Sequence, residues 1–272
     1  MLTEDQLQRI MPNLVAAKRQ LYLPALNAAL ATSDVNTLLR TAALVAQLAH
    51  ESGEFRWMEE IWGPTAAQQR YEPPADLAAR LGNTQPGDGK RFKGRGPIQI
   101  TGRFNYQKYG GLLGLELVAN PALAATPEVA FATAGLYWKS NGLNELADAQ
   151  QFAAITRRIN GGTNGLADRQ MYYERAKAVL QETGFVAAMA APTRGAKRAG
   201  PADMAPLQRG HEAIIAKAPR KPAAGKTVAK KVTARKVAVK KSPAKTSPAK
   251  KTPAKRAPAA AARKAPARKT TR

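Results

Sequence analysis

The chain has 272 residues, 43 Lys or Arg against 19 Asp or Glu, a formal net charge of +24, and no cysteine. That length allows one or two domains with a sizeable core. Zero cysteine excludes disulfide frameworks, thiol nucleophiles, iron–sulfur clusters and cysteine zinc sites.

The N-terminal run Met1-Leu2-Thr3-Glu4-Asp5 is acidic where a signal peptide starts basic and then turns apolar, so synthesis in the cytoplasm without a signal peptide is expected. Thr3 with Gln6 has capping-box spacing, and Leu7, Ile10 and Met11 follow at helical intervals. A second helical stretch covers residues 14–31, with a break expected near Pro24. Over residues 37–52, Leu38, Ala42, Val45 and Ala49 share one side, Leu44 and Leu48 form an adjoining stripe, and Gly53 supplies the stop. The longest apolar stretches, such as residues 41–49, fall far short of the roughly 20 residues that span a bilayer. No transmembrane segment is expected, and the protein should be soluble.

Further helices are predicted at 76–81, 103–109, 127–141, 150–159 and 167–182. Between them residues 82–102 are too glycine-rich and too long for a routine connector, and loops of that kind line sites. One extended piece is predicted at 97–101, with Ile98 and Ile100 pointing one way and Gln99 and Thr101 the other. The fold class is therefore mainly α.

Charge divides the chain. Up to Pro192 there are 19 basic and 17 acidic residues; beyond it stand 24 basic and 2 acidic, with no aromatic residue and only seven Leu, Ile or Val. Such a segment cannot offset the conformational entropy lost on folding and is expected to be disordered. Its period of five, Ser242-Pro-Ala-Lys, Ser247-Pro-Ala-Lys and Thr252-Pro-Ala-Lys, resembles linker-histone-like tails in composition only. The expected organisation is a catalytic domain over 1–184, a linker over 185–216 and a polycationic tail over 217–272. A tail of this kind binds anionic polymers such as nucleic acid, lipopolysaccharide or teichoic acid through counterion release, without reading sequence.

Within the front segment the chemistry narrows. There are two histidines, and His211 lies in the basic segment, so a Ser-His-Asp machine must use His50, with no G-x-S-x-G elbow to accompany it. Four residues after His50 stands Glu54 where a zinc helix needs a second histidine, and Asp88-Gly89 stands where a phosphate loop needs Lys-Ser/Thr. No metal or cofactor is expected, and carboxylates remain. Glu51 continues the Leu44 and Leu48 stripe into the last helical turn, which half-buries it beside the negative end of the helix dipole. That environment disfavours the charged carboxylate, as a general acid requires. In Tyr71-Glu72-Pro73-Pro74, Glu72 is expected to be extended and solvated, hence ionised and suited to a base.

The runs His50-Glu51-Ser52-Gly53, Tyr71-Glu72, residues 81–106 with Phe92-Lys-Gly-Arg-Gly-Pro-Ile-Gln-Ile-Thr-Gly-Arg-Phe-Asn-Tyr106, and Ile159-Asn-Gly-Gly162 resemble glycoside hydrolase family 19. This family comprises plant-type chitinases and a branch of bacterial and phage endolysins, and the resemblance covers about residues 1–184. It implies a lysozyme-like, two-lobed helical domain with a substrate cleft and an inverting mechanism, in which an acid protonates the glycosidic oxygen while a base activates water on the opposite face. By motif, Glu51 matches the acid. Glu72 matches the base by its spacing of 21 residues, with Glu54, Glu59 and Glu60 as alternatives. Thr101 matches the hydroxyl residue that holds the attacking water, Gln99 and Asn105 match substrate- and water-contacting positions, and Asn160 matches a sugar-binding residue. Arg169 matches the arginine that orients the acid. Phe104 replaces a Tyr of the plant enzymes, and Thr163-Asn164 stand where those enzymes place a Glu, so their Glu–Arg–Glu network lacks one carboxylate here.

Trp57, Trp62 and Tyr71 are candidate sugar-stacking platforms, and Trp138 a core residue. Arg91, Lys93, Arg95 and Arg103 make the glycine block basic, which suits an acidic glycan. The expected function is hydrolysis of β-1,4 bonds between the amino sugars of peptidoglycan, by a monomer acting at the cell wall after release. The alternatives are a chitinase acting on chitin-type polysaccharide, and a polyanion-binding protein with a degenerate hydrolase domain.

Overall fold

The structure is a computed structural model that describes residues 1–185. The linker and the polycationic tail expected from composition lie outside the described residues, Phe185 excepted. Among the described residues the fold is mainly α, as expected, with isolated bridges Glu59–Arg95 and Arg95–Ile100 in place of a sheet. No helix described is long and apolar enough to cross a membrane.

Helix α1 (Glu4–Ile10) starts on the capping box read from sequence, with Thr3 Oγ1 accepting from Gln6 N at 3.2 Å and Gln6 Oε1 accepting from Thr3 N at 2.9 Å. Helix α2 (Ala16–Thr32) runs unbroken through Pro24, contrary to the expected break. A mid-helix proline costs about 3 kcal/mol, and here the packing of α2 along α8 (Pro127–Ser140), with Leu26, Ala29 and Leu30 buried, holds the helix together regardless. Tyr22, Phe55 and Phe131 join that seam, the last two edge to face at 5.1 Å between ring centres.

Helix α3 (Leu38–Ser52) starts at Thr37, whose hydroxyl accepts from Arg40 N, and ends at Gly53 in the left-handed conformation. Every residue from Thr41 to Ser52 is buried, so α3 is a central helix rather than the two-striped surface helix its pattern describes. Small residues make this possible: Ala42, Ala43, Ala46 and Ala49 let neighbouring elements close around it, α11 (Leu166–Glu182) most extensively. Five polar side chains, Thr41, Gln47, His50, Glu51 and Ser52, are buried with it and must find partners inside the protein.

The remaining helices are α4 (Ala66–Gln69), α5 (Asp76–Leu81), α6 (Asp88–Arg91), α7 (Arg103–Leu113), a 3-10 turn (Pro121–Ala125), α9 (Leu143–Asp148) and α10 (Phe152–Asn160). Of these α4, α6, the 3-10 turn and α9 carry no sequence signal strong enough to separate them from loop. The glycine stretch folds back on itself. Asp88 accepts from the Thr84 and Gln85 amides at 3.0 Å each and pairs with Arg103 at 2.5 Å. Burial acts to raise the Asp88 carboxyl, but the Arg103 guanidinium and the two amides outweigh it and hold the group below the usual carboxylate range.

The extended piece expected at 97–101 is instead a tight turn. Arg95 and Ile100 exchange backbone hydrogen bonds of 3.2 and 3.0 Å, and Gln99, at φ +53°, donates its N–H to Gly96. Ile98 and Ile100 are nevertheless buried, at 2% and 1% exposure. At Gly102, φ is +89° and a Cβ would lie 2.6 Å from the Leu81 carbonyl oxygen. Gly102→Ala is therefore expected to lower unfolding free energy by about 2 kcal/mol or more, read from urea denaturation; an unchanged midpoint would show that the turn tolerates a side chain.

Candidate active site

Glu51 is 6% exposed, more deeply buried than its place on the apolar stripe indicates. Its Oε1 lies 2.6 Å from Arg169 Nη2 on α11, itself 2% exposed. The other guanidinium nitrogens are occupied as well: Nη1 donates to Gln47 Oε1 at 2.5 Å and Nε to the Asn164 carbonyl at 3.3 Å. Gln47 lies one turn before Glu51 on α3, and its amide donates onward to Thr156 on α10 at 2.9 Å. A buried charge pair is tolerable only when its remaining hydrogen-bonding positions are satisfied, and here Gln47 supplies one partner and the Asn164 backbone another. Arg169 thus has Glu51 as its carboxylate partner, with the neutral Gln47 amide on its other terminal nitrogen.

The adjacent His50 Nδ1 lies 2.7 Å from Asp168 Oδ2, and Gly165 passes so close that a Cβ there would sit 2.3 Å from the imidazole. Burial raises the Tyr137 phenol above its ordinary value, and the charge of Glu51 adds to this; its hydroxyl donates to Arg158 O at 3.0 Å.

After α3 the chain turns through three successive left-handed residues, Gly53, Glu54 and Phe55, at φ +58°, +59° and +58°. The last two are not glycine, so the turn carries strain that its surroundings must hold. Glu54 does this: its carboxylate accepts from Asn13 N at 2.6 Å, Asn13 Nδ2 at 3.0 Å and the Tyr172 hydroxyl at 2.7 Å. The turn delivers residues 57–60 against the glycine stretch, where Glu60 N donates to Gly94 O at 2.8 Å. Glu60 is 5% exposed, its Oε2 accepting from Gly94 N at 3.0 Å and its Oε1 from Gln68 Nε2 at 3.0 Å. Burial, followed by the charge of Glu60, lifts the Tyr71 phenol.

Gly94 joins this carboxylate to Gln99 and Thr101. A Cβ at Gly94 would meet Gln99 Oε1 at 2.5 Å and Thr101 Oγ1 at 3.3 Å. Gln99 Nε2 donates to Trp57 O at 3.1 Å, which fixes the hairpin against the segment leading to Glu60. Thr101 Oγ1 donates to Gln99 O at 3.0 Å, leaving its lone pairs to accept from a water. Asn105 is half-buried and held by Thr101 O at 2.8 Å.

Glu72 is placed differently from the expectation of an extended, solvated carboxylate. Its Oε2 accepts from Gly87 N at 2.8 Å and its Oε1 from Lys90 N at 3.2 Å, so the side chain pins the glycine loop. Glu59 pairs with Arg95 at 2.9 Å and Lys93 at 3.3 Å. Tyr71 is 5% exposed, and its ring lies 6.3 Å from the half-buried Trp62, so it offers no open face to a sugar. Trp57 is half-buried under Arg56, and Trp138 is fully buried with its indole N–H on Asn144 at 2.8 Å. Phe104 is 45% exposed beside Asn105. Asn160 donates to Asn164 O at 3.3 Å, on the same loop that contacts Arg169. Among the described residues no cluster of three His, Asp or Glu is arranged to hold a metal ion.

Sequence reasoning missed Gln47, which reads as a polar interruption in an apolar helix, although its spacing of four from Glu51 puts both on one helical face. It also ranked Glu60 only among the alternatives, because the burial of that residue depends on Gly94 and Gln68 rather than on local pattern.

The family model Glyco_hydro_19, described as chitinase class I, matches residues 17–150. A glycosyl hydrolase family 19 domain-containing protein of Haemophilus influenzae is 32% identical over 197 residues, 64% of this chain and 94% of that protein. An Arabidopsis thaliana endochitinase is 41% identical over 145 residues, 53% of this chain. The chain spans about half the length of that plant relative, 47%. The crystal structure of chitinase C from Streptomyces griseus superposes with a TM-score of 0.52 at 25% identity, over 66% of this chain and 92% of that one.

Removing the Arg169 guanidinium takes away the cation that faces the buried Glu51 carboxyl, so Arg169→Met is expected to cost about 3 kcal/mol of stability. Glu51→Gln in the same background should restore a large part of it, as a double-mutant cycle in urea would read. A single-variant cost under about 1 kcal/mol would mean that the pair is hydrated and its burial inconsequential.

Proposed function

Because the chain belongs to glycoside hydrolase family 19, we propose that it is a glycosidase that hydrolyses β-1,4 bonds between N-acetylated amino sugars by inversion, with Glu51 as general acid and Glu60 as general base. The observation that carries this reading is the buried Glu51 carboxyl clamped at 2.6 Å by Arg169 at the end of a helix that ends in His50-Glu51-Ser52-Gly53.

Glu60 takes the base in place of Glu72. It is buried against Gly94, the residue that also adjoins Gln99 and Thr101, whereas Glu72 is held by the amides of Gly87 and Lys90. In the proposed reaction, Glu51 first takes up a proton from solvent and then delivers it to the bridging oxygen as the bond to the anomeric carbon breaks. A water between Glu60 and Thr101 gives one proton to the Glu60 carboxylate, points its second hydrogen at Thr101 Oγ1 and attacks the anomeric carbon from the far side. Such a geometry requires the two carboxyl groups to stand about 6.5–9.5 Å apart. Gln99 and Asn105 orient the sugar beside that water, and Arg169, steadied by Gln47, orients Glu51.

Two polymers contain the bond. Peptidoglycan is the first reading, because the 24 basic and 2 acidic residues beyond Pro192 complement an anionic envelope. Chitin-type polysaccharide is the second, because the relatives matched are named endochitinases. The basic segment would bring a monomer to the cell wall after release and bind anionic polymers there, with affinity falling as salt rises.

Glu51→Gln and Glu60→Gln are each expected to lower kcat on a soluble N-acetylglucosamine hexamer by about 10²–10⁴, in a reducing-end assay. Glu72→Gln should leave kcat within about tenfold and instead loosen residues 87–90. If Glu72→Gln abolishes turnover while Glu60→Gln spares it, the base is Glu72. Parallel digestion of purified sacculi and colloidal chitin decides the polymer, and release from chitin alone would put the second reading first.

A further inference from the structure

The segment Lys93-Gly94-Arg95 has two faces, and the proposed chemistry uses one of them. On the Gly94 face stand Glu60, Gln99 and Thr101. On the other face Lys93 and Arg95 both reach Glu59, at 3.3 and 2.9 Å. Period-two alternation produces this: Glu59 and Arg95 form an antiparallel bridge, so their side chains share a face, while Glu60 and Gly94 turn the other way. The Lys93 and Arg95 face belongs to an open cavity of about 940 Å³, walled also by Lys90 and Arg91 and, on its apolar side, by Pro121 and Leu123. Neither Glu60, Gln99 nor Thr101 lines it.

Its charge is poorly compensated. Lys93 and Arg95 share one carboxylate, Glu59, which is 43% exposed. Arg91 donates to the carbonyls of Val118 and Ala119, at 2.9 and 3.3 Å, which fix the guanidinium without neutralising it. Lys90 is exposed, and its ammonium meets no partner among the described residues. Asp88 is neutralised by Arg103, while Glu72, held by the amides of Gly87 and Lys90, keeps its charge at the rim. Four cations, of which Arg95 is buried and also donates to Arg91 O and the Tyr106 hydroxyl, stand against two carboxylates, Glu59 and Glu72, and the excess focuses a positive field into the cavity. Its size suits a ligand of several residues, and Pro121 with Leu123 suits small aliphatic groups beside the anionic ones.

We infer that this cavity binds the carboxylate-bearing peptide branch of a substituted glycan, so that the substrate is a strand carrying short acidic, alanine-type peptides. The inference rests on the glycosidase reading of the Gly94 face. Adjacent Cα atoms are about 3.8 Å apart, so a sugar on one face of the segment places its branch within reach of the other. A neutral, unbranched amino-sugar chain offers nothing to these cations.

The test reads binding, so that it fails or succeeds apart from turnover. The probe is N-acetylmuramyl-L-alanyl-D-glutamate, which carries two carboxylates, against its uncharged diamide, titrated into the full chain at physiological salt. The dicarboxylate should bind about tenfold or more tightly than the diamide. Lys90→Glu should weaken it by a further tenfold or so and Lys90→Ala by less, with unfolding midpoints unchanged. The polycationic segment is common to all three proteins, so any difference among them reports the cavity. Equal binding of probe and diamide, equal binding to parent and Lys90→Glu, or tighter binding of glycerol phosphate than of the dicarboxylate would each overturn the inference. Failure of the parent protein to cleave any amino-sugar polymer would count against the glycosidase reading and leave the binding result standing.

Discussion

The buried ion pair between Glu51 and Arg169 is the constraint around which the rest of the structure is arranged. A carboxylate at 6% exposure is held only if a partner removes most of its desolvation penalty, and a guanidinium at 2% exposure needs acceptors of its own. That requirement fixes α11 against α3, places Gln47 one turn before Glu51, and recruits the Asn164 carbonyl from the loop before α11. The same contact surface carries His50 against Asp168, with glycine at position 165 to let the ring in. A carboxyl so held is fixed in position, which suits the proton transfer proposed for it.

The second half of the site has a different physical origin. Glu60 is not placed by a helix but by two turns: the strained left-handed turn after α3, clamped by Glu54 to α1's following loop and to α11, and the hairpin closed by Arg95 and Ile100. Gly94 is the point where they meet, since its N–H binds Glu60 and any side chain there would strike Gln99. Alternation along the same backbone sends Lys93 and Arg95 outward to the basic cavity, so one stretch of residues serves both the carboxylate site and a surface of opposite charge.

Much of this was legible in the sequence, and the exceptions share a cause. Local patterns located α1 by its capping box, α3 by Thr37 and Gly53, and α5 and α11 nearly to the residue. Glu51 and Arg169 stand out by motif, and their side chains lie 2.6 Å apart. Failures arose where non-local contacts decide. Pro24 sits inside a helix because α8 packs along it. The period-two argument at 97–101 broke down because Gly96 and Gln99 adopt φ +79° and +53°, which reverses the chain before alternation can extend. Gln47 was hidden for a simpler reason: it satisfies an arginine 122 residues distant, and nothing nearby marks it.

The central claim is that Glu51 and Glu60 act from opposite sides of the sugar with a water between the ring and the base. The most direct measurement is proton NMR of a fresh digest of a soluble β-linked amino-sugar oligomer, read before the anomers equilibrate. Inversion produces the α-anomer at the new reducing end as the first product. An initial β-anomer would mean that no water attacks from the face opposite the leaving group, and the assignment of Glu60 as base would be wrong.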